Sequence, residues 1–334
     1  MGRALLVLAV LGVLLAGVGS VAAWRWYETP QNNLAGAATL IEPGDSYATV
    51  LSRWQQAGLI SQPQLWRLAG RLSGLAPRIQ AGEYRLSAVG SPRSVLEQLS
   101  RGEGTLSYQI QFLEGWSLRD IRAALADAPH LRQTLDDVES ADLLTLIGKN
   151  AHSAPSAEGW FFPDTYSYQR GARDVDILSR AYQRMSEELA EIWRERSSGL
   201  PLATPYDALI LASIVEKETG QSADRDTIAQ VFLRRLEIGM KLQTDPTVIY
   251  GVGEAFTGDL TRKHLRTDTP YNSYTRFGLP PTPIAAPGRE SLRAAVAPAA
   301  TDYLFFVARG DGSTEFSRTL EEHNAAVRRF QLRR

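Results

Sequence analysis

The chain has no cysteine among its 334 residues. Disulfides and thiolate metal sites are therefore excluded, and an oxidising compartment is compatible with that absence. Histidine is scarce: His130, His152, His264 and His323 lie far apart, with no HExxH or comparable spacing. No zinc or other metal site is expected, and no GxxxxGK[ST] loop cradles a phosphate. Charge of either sign is not in excess. A formal net charge of −1 offers no general attraction to nucleic acid. Internal repeats are absent, and low complexity is confined to one short polar linker.

What the chain does have is a long run without charge at its start. Ala4 to Trp24 is dominated by Leu, Val, Ala and Gly. As a helix this run reaches about 31 Å, enough to cross a bilayer core. Arg3 precedes it, and Trp24, Trp26 and Tyr27 follow as an interfacial belt would. A cleaved signal peptide is the rival reading, with small residues at Ser20–Ala23 as its site. The run exceeds a usual signal core, so an uncleaved anchor is expected, with a short cytoplasmic tail and an exported body.

The rest reads as α+β: an N-terminal transmembrane helix (1–28), a linker (29–38), a small α+β unit (39–104) and a larger α+β domain (105–334). In the small unit, helices are expected over Tyr47–Ala57 and Pro63–Leu72, a strand over Gly82–Ser87, and a helix from Ser91-Pro92 to Gly102. In the larger one, strands are expected at Leu106–Leu113 and Tyr303–Ala308. Helices are expected from Ser117 to Ala126, at Asp174–Arg196, around Glu218, at Ala223–Ile238 and at Leu320–Leu332. The stretch from Leu242 to Gly288 is rich in Pro, Gly and Tyr.

Within the helix LILASIVEKETG (Leu209–Gly220), spacing at 100° per residue puts Ile210, Leu211, Ile214 and Val215 on one face. Glu218 projects near the centre of that face. Glu216 projects to the other side and reads as a solvated charge. Glu218 also stands in the last turn, where the helix dipole disfavours a carboxylate. Burial and dipole both raise its pKa, which suits a general acid. A buried Glu paired with an arginine is the plainer alternative.

Two further segments concentrate amide, carboxylate and phenol groups. Gln243, Asp245 and Tyr250 fall in QTDPTVIYG, and Asn272 and Tyr274 in PYNSY. Such groups orient sugar hydroxyls in a cleft. Equally, Asp245 can cap a helix and the tyrosines can fill the core.

The runs LASIVEKET, RRLEIGMKLQTDPTVIYG and TPYNSYTRFGLPPTPIAAPG resemble those of the MltG/YceG-like endolytic murein transglycosylases, as do EGWFFPDTY and the terminal EHNAAV. The resemblance spans essentially the whole chain. It implies that residues 39–104 are a LysM-like, glycan-binding subdomain. It assigns the catalytic acid to the second glutamate of EKE, Glu218. Gln243, Asp245, Tyr250, Asn272 and Tyr274 are then expected to position substrate or to hold Glu218. The implied reaction cleaves the β-1,4 bond between N-acetylmuramic acid and N-acetylglucosamine in nascent peptidoglycan glycan strands. It leaves a 1,6-anhydro end, terminates elongation, and uses no cofactor. The implied place is the bacterial inner membrane, single-pass, with the body in the periplasm beside penicillin-binding synthases. A non-catalytic peptidoglycan-binding scaffold and a muramidase, with Asp245 as second carboxylate, are the alternatives.

Overall fold

A computed structural model describes residues 2–140, 142–147 and 155–332 of the chain. His152 lies outside the described residues. The chain forms two compact units, one of residues 1–108 and 168–171, the other of the remainder.

The first unit opens with α1 (Gly2–Glu28), whose stretch Leu6–Glu28 has a mean hydropathy of 2.5 and is nowhere buried. Then follow β1 (Ala38–Ile41), α2 (Tyr47–Gln56), α3 (Pro63–Leu72), β2 (Gly82–Arg85) and α4 (Pro92–Arg101). Local chemistry explains the boundaries. The Ser46 hydroxyl accepts from the Thr49 amide at the start of α2. Pro63 and Pro92 begin α3 and α4, where a missing N–H costs nothing. Gly102, at φ +69°, closes α4 in a conformation glycine adopts freely. β1 and β2 pair antiparallel, Ala38 opposite Arg85 and Ile41 opposite Gly82. Trp54, Trp66 and Tyr84 fill the core with Leu51, Leu96 and Leu99. The linker expected to run through Ala38 already contains the start of β1.

The second unit holds all but the first residue of β3 (Tyr108–Gln111) and the last residue of β4 (Thr165–Tyr168), which pair with each other. Between them lie α5 (Leu118–Ala126), started by a capping box between Ser117 and Asp120, and the short α6 (Leu143–Leu146). Then come α7 (Asp174–Arg194), α8 (Pro205–Glu218), α9 (Ser222–Glu237), α10 (Asp245–Val252), α11 (Arg262–Arg266) and α12 (Arg289–Val296). β5 (Phe305–Ala308) and β6 (Thr314–Ser317) form an antiparallel hairpin, and α13 (Leu320–Phe330) ends the fold. The architecture is mixed α+β, with small two-stranded sheets beside a helical core.

The core is built around α8. Every residue from Ala208 to Val215 is buried, with α7, α9, α10 and α12 packed against the helix. A helix apolar on all sides belongs inside a domain rather than on its surface. Each of its leucines and isoleucines contributes about 1.5–3 kcal/mol through burial. α12, RESLRAAV, has no counterpart in the sequence reading. Its buried side is Leu292, Ala294, Ala295 and Val296, an alanine-rich face between charges that leaves little periodic signal.

Candidate active site

α8 begins with Thr204 and Asp207 in a reciprocal capping box and Pro205 in its first turn. It ends at Glu218, because Thr219 turns to extended backbone (φ −143°, ψ 135°). Both glutamates of EKE therefore sit in the last turn, just past the buried stretch Ala208–Val215. The surroundings of Glu216 correct the expectation that it is a solvated charge. Its side chain is only 5% exposed, accepts from Arg225 Nη2 at 3.2 Å, and also accepts from the Gly288 amide at 2.9 Å. The helical wheel gave Glu216 a polar side, but α9 and α12 cover that side. What separates the two acids is their partners. Glu218 accepts a hydrogen bond from the Thr244 hydroxyl and forms no ion pair among the described residues. Burial pushes its carboxyl up from the ordinary range, and the charge of Asp245 adds to this. The Thr244 hydrogen bond and the field of Arg235 oppose the rise.

Thr244 is held by a compact set of hydroxyls. Its amide donates to Ser273 Oγ at 3.0 Å, and its carbonyl accepts from Thr247 Oγ1 at 2.8 Å. Thr247 and Ser273 share a further bond of 2.8 Å, and all three residues are buried. Just before them Gln243 adopts φ +50°, uncommon for a residue with a side chain. Its amide donates to the Ser273 carbonyl at 3.2 Å, which ties the turn down. Asp245 is the first residue of α10, a position where a carboxylate favours the helix dipole. Tyr274 donates its phenol to Asp245 Oδ1 at 2.6 Å, and burial pushes that phenol's pKa up. Gln243, Asp245 and Tyr274 are thus gathered with Thr244 at the Glu218 end of α8.

The other two expected residues are placed differently. Asn272 is buried, and its amide nitrogen is turned to the carbonyls of His264, Leu265 and Thr267 at 3.2, 3.2 and 2.7 Å. Its Oδ1 accepts from the Tyr274 amide at 2.9 Å. Asn272 therefore holds its own loop and leaves no donor for a ligand. Tyr250 lies further along α10, and its phenol donates to Glu158 Oε2 at 3.0 Å.

Glu158 carries a site of its own. It is 4% exposed and also accepts from the amides of Leu118, at 2.9 Å, and Gly159, at 3.3 Å. Burial pushes its pKa up to about 7, against the pull of those three donors. Glu158 and Tyr250 line a cleft of about 1470 Å³, together with Lys217, Pro246 and Tyr271. Glu218 does not line it. Its neighbour Lys217 does, so the last turn of α8 offers one side chain to the cleft and the next to Thr244. EGWFFPDTY carries part of the family resemblance, but the sequence does not single out its acid. An acid beside Trp160, Phe161 and Phe162 was the available signal. Thr244, Thr247 and Ser273 were missed too, since lone hydroxyls carry no pattern. Among the described residues no three His, Asp or Glu side chains gather as a metal site requires.

A sequence profile of the YceG-like family matches residues 39–329. An endolytic murein transglycosylase of Bacillus subtilis is 31% identical over 87% of this chain and 83% of its own length. One from Streptococcus pneumoniae strain D39 is 24% identical over 86% of this chain and 57% of its own. A crystal structure of a YceG-like protein from Listeria monocytogenes superposes with a TM-score of 0.56 at 29% identity. That match covers 86% of this chain and 98% of that one.

Proposed function

The chain belongs to the YceG-like family and is a peptidoglycan lytic transglycosylase, and from that premise we propose that Glu218 is its single catalytic acid and base. The observation that carries this reading is a half-buried glutamate at the end of a buried helix, bonded to a hydroxyl and to no cation among the described residues, with its carboxyl raised by desolvation. Protonated Glu218 gives its proton to the glycosidic oxygen as the bond to C1 of the muramic sugar breaks. Positive charge then develops at C1. The carboxylate takes the proton of the C6 hydroxyl of the same sugar while that oxygen attacks C1. One C–O bond breaks, one forms, and Glu218 regains its proton. The product is the 1,6-anhydro ring, and no water enters. Intramolecular attack gains from proximity, so no second carboxylate is needed to activate water.

Gln243, Asp245 and Tyr274 position substrate beside Glu218, with Tyr250 in the adjoining cleft. Asn272 acts through the loop it holds. Residues 39–104 form a glycan-binding, LysM-like subdomain. α1 anchors the chain once in the bacterial inner membrane, with the body in the periplasm. There the enzyme cuts growing strands beside penicillin-binding synthases and so ends their elongation.

The test is mass spectrometry of products from uncross-linked glycan strands, using the full chain in detergent. Wild type is expected to release ends one water lighter than hydrolytic ends, and Glu218→Gln to release none. Normal turnover by that variant would refute the assignment. Hydrolytic ends would make the enzyme a muramidase, with Asp245 as the second carboxylate. Binding without cleavage by wild type would leave a scaffold. Glu158 is the rival acid, and Glu158→Gln is expected to keep producing anhydro ends.

A further inference from the structure

The first unit carries a one-sided surface that the reaction does not use. Between Asp45 and Glu83 the chain has no acidic residue, yet it has Arg53, Arg67, Arg71 and Arg78. Arg53 is paired, with Asp45 at 2.9 Å and Glu42 at 3.3 Å. Arg67, Arg71 and Arg78 are exposed and form no ion pair among the described residues, and the same holds for Arg25 of α1.

α3 presents an equally uneven set of apolar residues. Its inner face, Pro63, Trp66 and Gly70, is in the core. Its outer face carries Leu65, Leu68 and Leu72, exposed by 36, 49 and 78%. Spacings of three and seven residues stack these leucines in one stripe. Arg67 and Arg71 flank it. A short helix with leucines outward and arginines at the margin suits the boundary between headgroups and acyl chains.

The position of α3 identifies the lipid. The last turn of α1 packs against this unit's core, with the Trp26 ring edge-on to Trp66 of α3 at 5.9 Å. Tyr27, in the same turn, is half-buried and packs against the same core. Trp and Tyr at the end of an apolar span mark the level of the headgroups. The leucine stripe therefore begins beside the point where α1 leaves the bilayer.

We propose that the outer face of α3 seats the first unit on the membrane that α1 enters, with Leu65, Leu68 and Leu72 in the interfacial layer and Arg25, Arg67, Arg71 and Arg78 against anionic headgroups. This rests on the reading of α1 as a membrane anchor. Such a seat removes the freedom of a body swinging on a single helix. It also holds the unit at a fixed height above the bilayer.

Because the chain has no cysteine, single cysteines can be introduced for labelling. Full-length chains bearing Leu14→Cys, Leu68→Cys, Leu72→Cys or Glu103→Cys would carry a fluorophore and be reconstituted into vesicles of phosphatidylethanolamine and phosphatidylglycerol containing a lipid-borne quencher. Position 14 reports the anchor. Glu103 lies beyond the far end of α4, one helix length or about 15 Å from the Arg93–Glu28 contact with α1. Labels at 14, 68 and 72 are expected to be quenched several-fold more than the label at 103. Charge reversal at Arg67 and Arg71 is expected to lower quenching at 68 when phosphatidylglycerol is present and to leave it unchanged when it is not. Quenching at 14 with positions 68 and 72 no different from 103 would overturn the seat and leave the anchor standing. No quenching at 14 would overturn the anchor, and the seat with it.

Discussion

Glu216 accepts from Arg225 and Gly288, Glu218 from Thr244, and Glu158 from Leu118, Gly159 and Tyr250. These partners set three different tasks for one side-chain type. A guanidinium and an amide hold Glu216 in place. Glu218 bonds a hydroxyl, and burial raises its pKa. Two amides and a phenol hold Glu158, yet burial still carries it to about 7. Linkage makes that value a statement about stability. Unfolded, Glu158 ionises near its ordinary 4.5, whereas folded it keeps the proton to about 7. Stability from this group is complete below the lower value and is lost as pH rises through the upper one. The loss is about 3 kcal/mol. Glu218, also raised, acts in the same direction. Urea midpoints of wild type are expected to fall between about pH 5 and about pH 8, with most of the Glu158 share of that fall gone in Glu158→Gln. Equal falls in the two proteins would show that burial does not hold the Glu158 proton.

At the scale of elements, the geometry proposed for catalysis depends on two segments being tied together. Ser273 accepts from the Thr244 amide and bonds the Thr247 hydroxyl, so it joins the loop between α11 and α12 to the start of α10. Ser273→Ala leaves a buried N–H without its acceptor, at a cost of about 1–3 kcal/mol. The same change loosens the residue that bonds Glu218, and turnover is expected to fall about 10- to 100-fold. Denaturant unfolding and the rate of anhydro-product formation check the two effects separately. Unchanged turnover would show that Thr244 keeps its place without Ser273. This tie also shows where sequence stops informing. Caps and proline starts are local, so the bounds of α3 and the start of α4 were legible from Pro63, Leu72 and Ser91-Pro92. The fate of Thr244 depends on a residue 29 positions away, for which the sequence offers only a serine. Asn272 reads as a sugar-binding amide until its carbonyl partners are seen. Glu216 reads as exposed until α12, itself unmarked by periodicity, covers it.

At the scale of the molecule, the chain couples an apolar helix, a small basic unit and a helical unit that holds the acid. The apolar span and the α+β character were legible from composition and punctuation. The centrality of α8 was not, because a helix buried all round has no amphipathic contrast to read. That burial has a consequence in time. Amides of a buried helical stretch exchange with solvent only when the whole unit opens, whereas surface elements open on their own. In hydrogen–deuterium exchange, amides from Leu209 to Val215 are expected to be the slowest of the second unit, and those of α11 and its flanking loops the fastest. Comparable rates in the two would contradict it. On the proposal that Glu218 is the acid, it stands three residues beyond that buried stretch. Its place is then set by the longest-lived helix of the unit and need not change when α11 and its loops open.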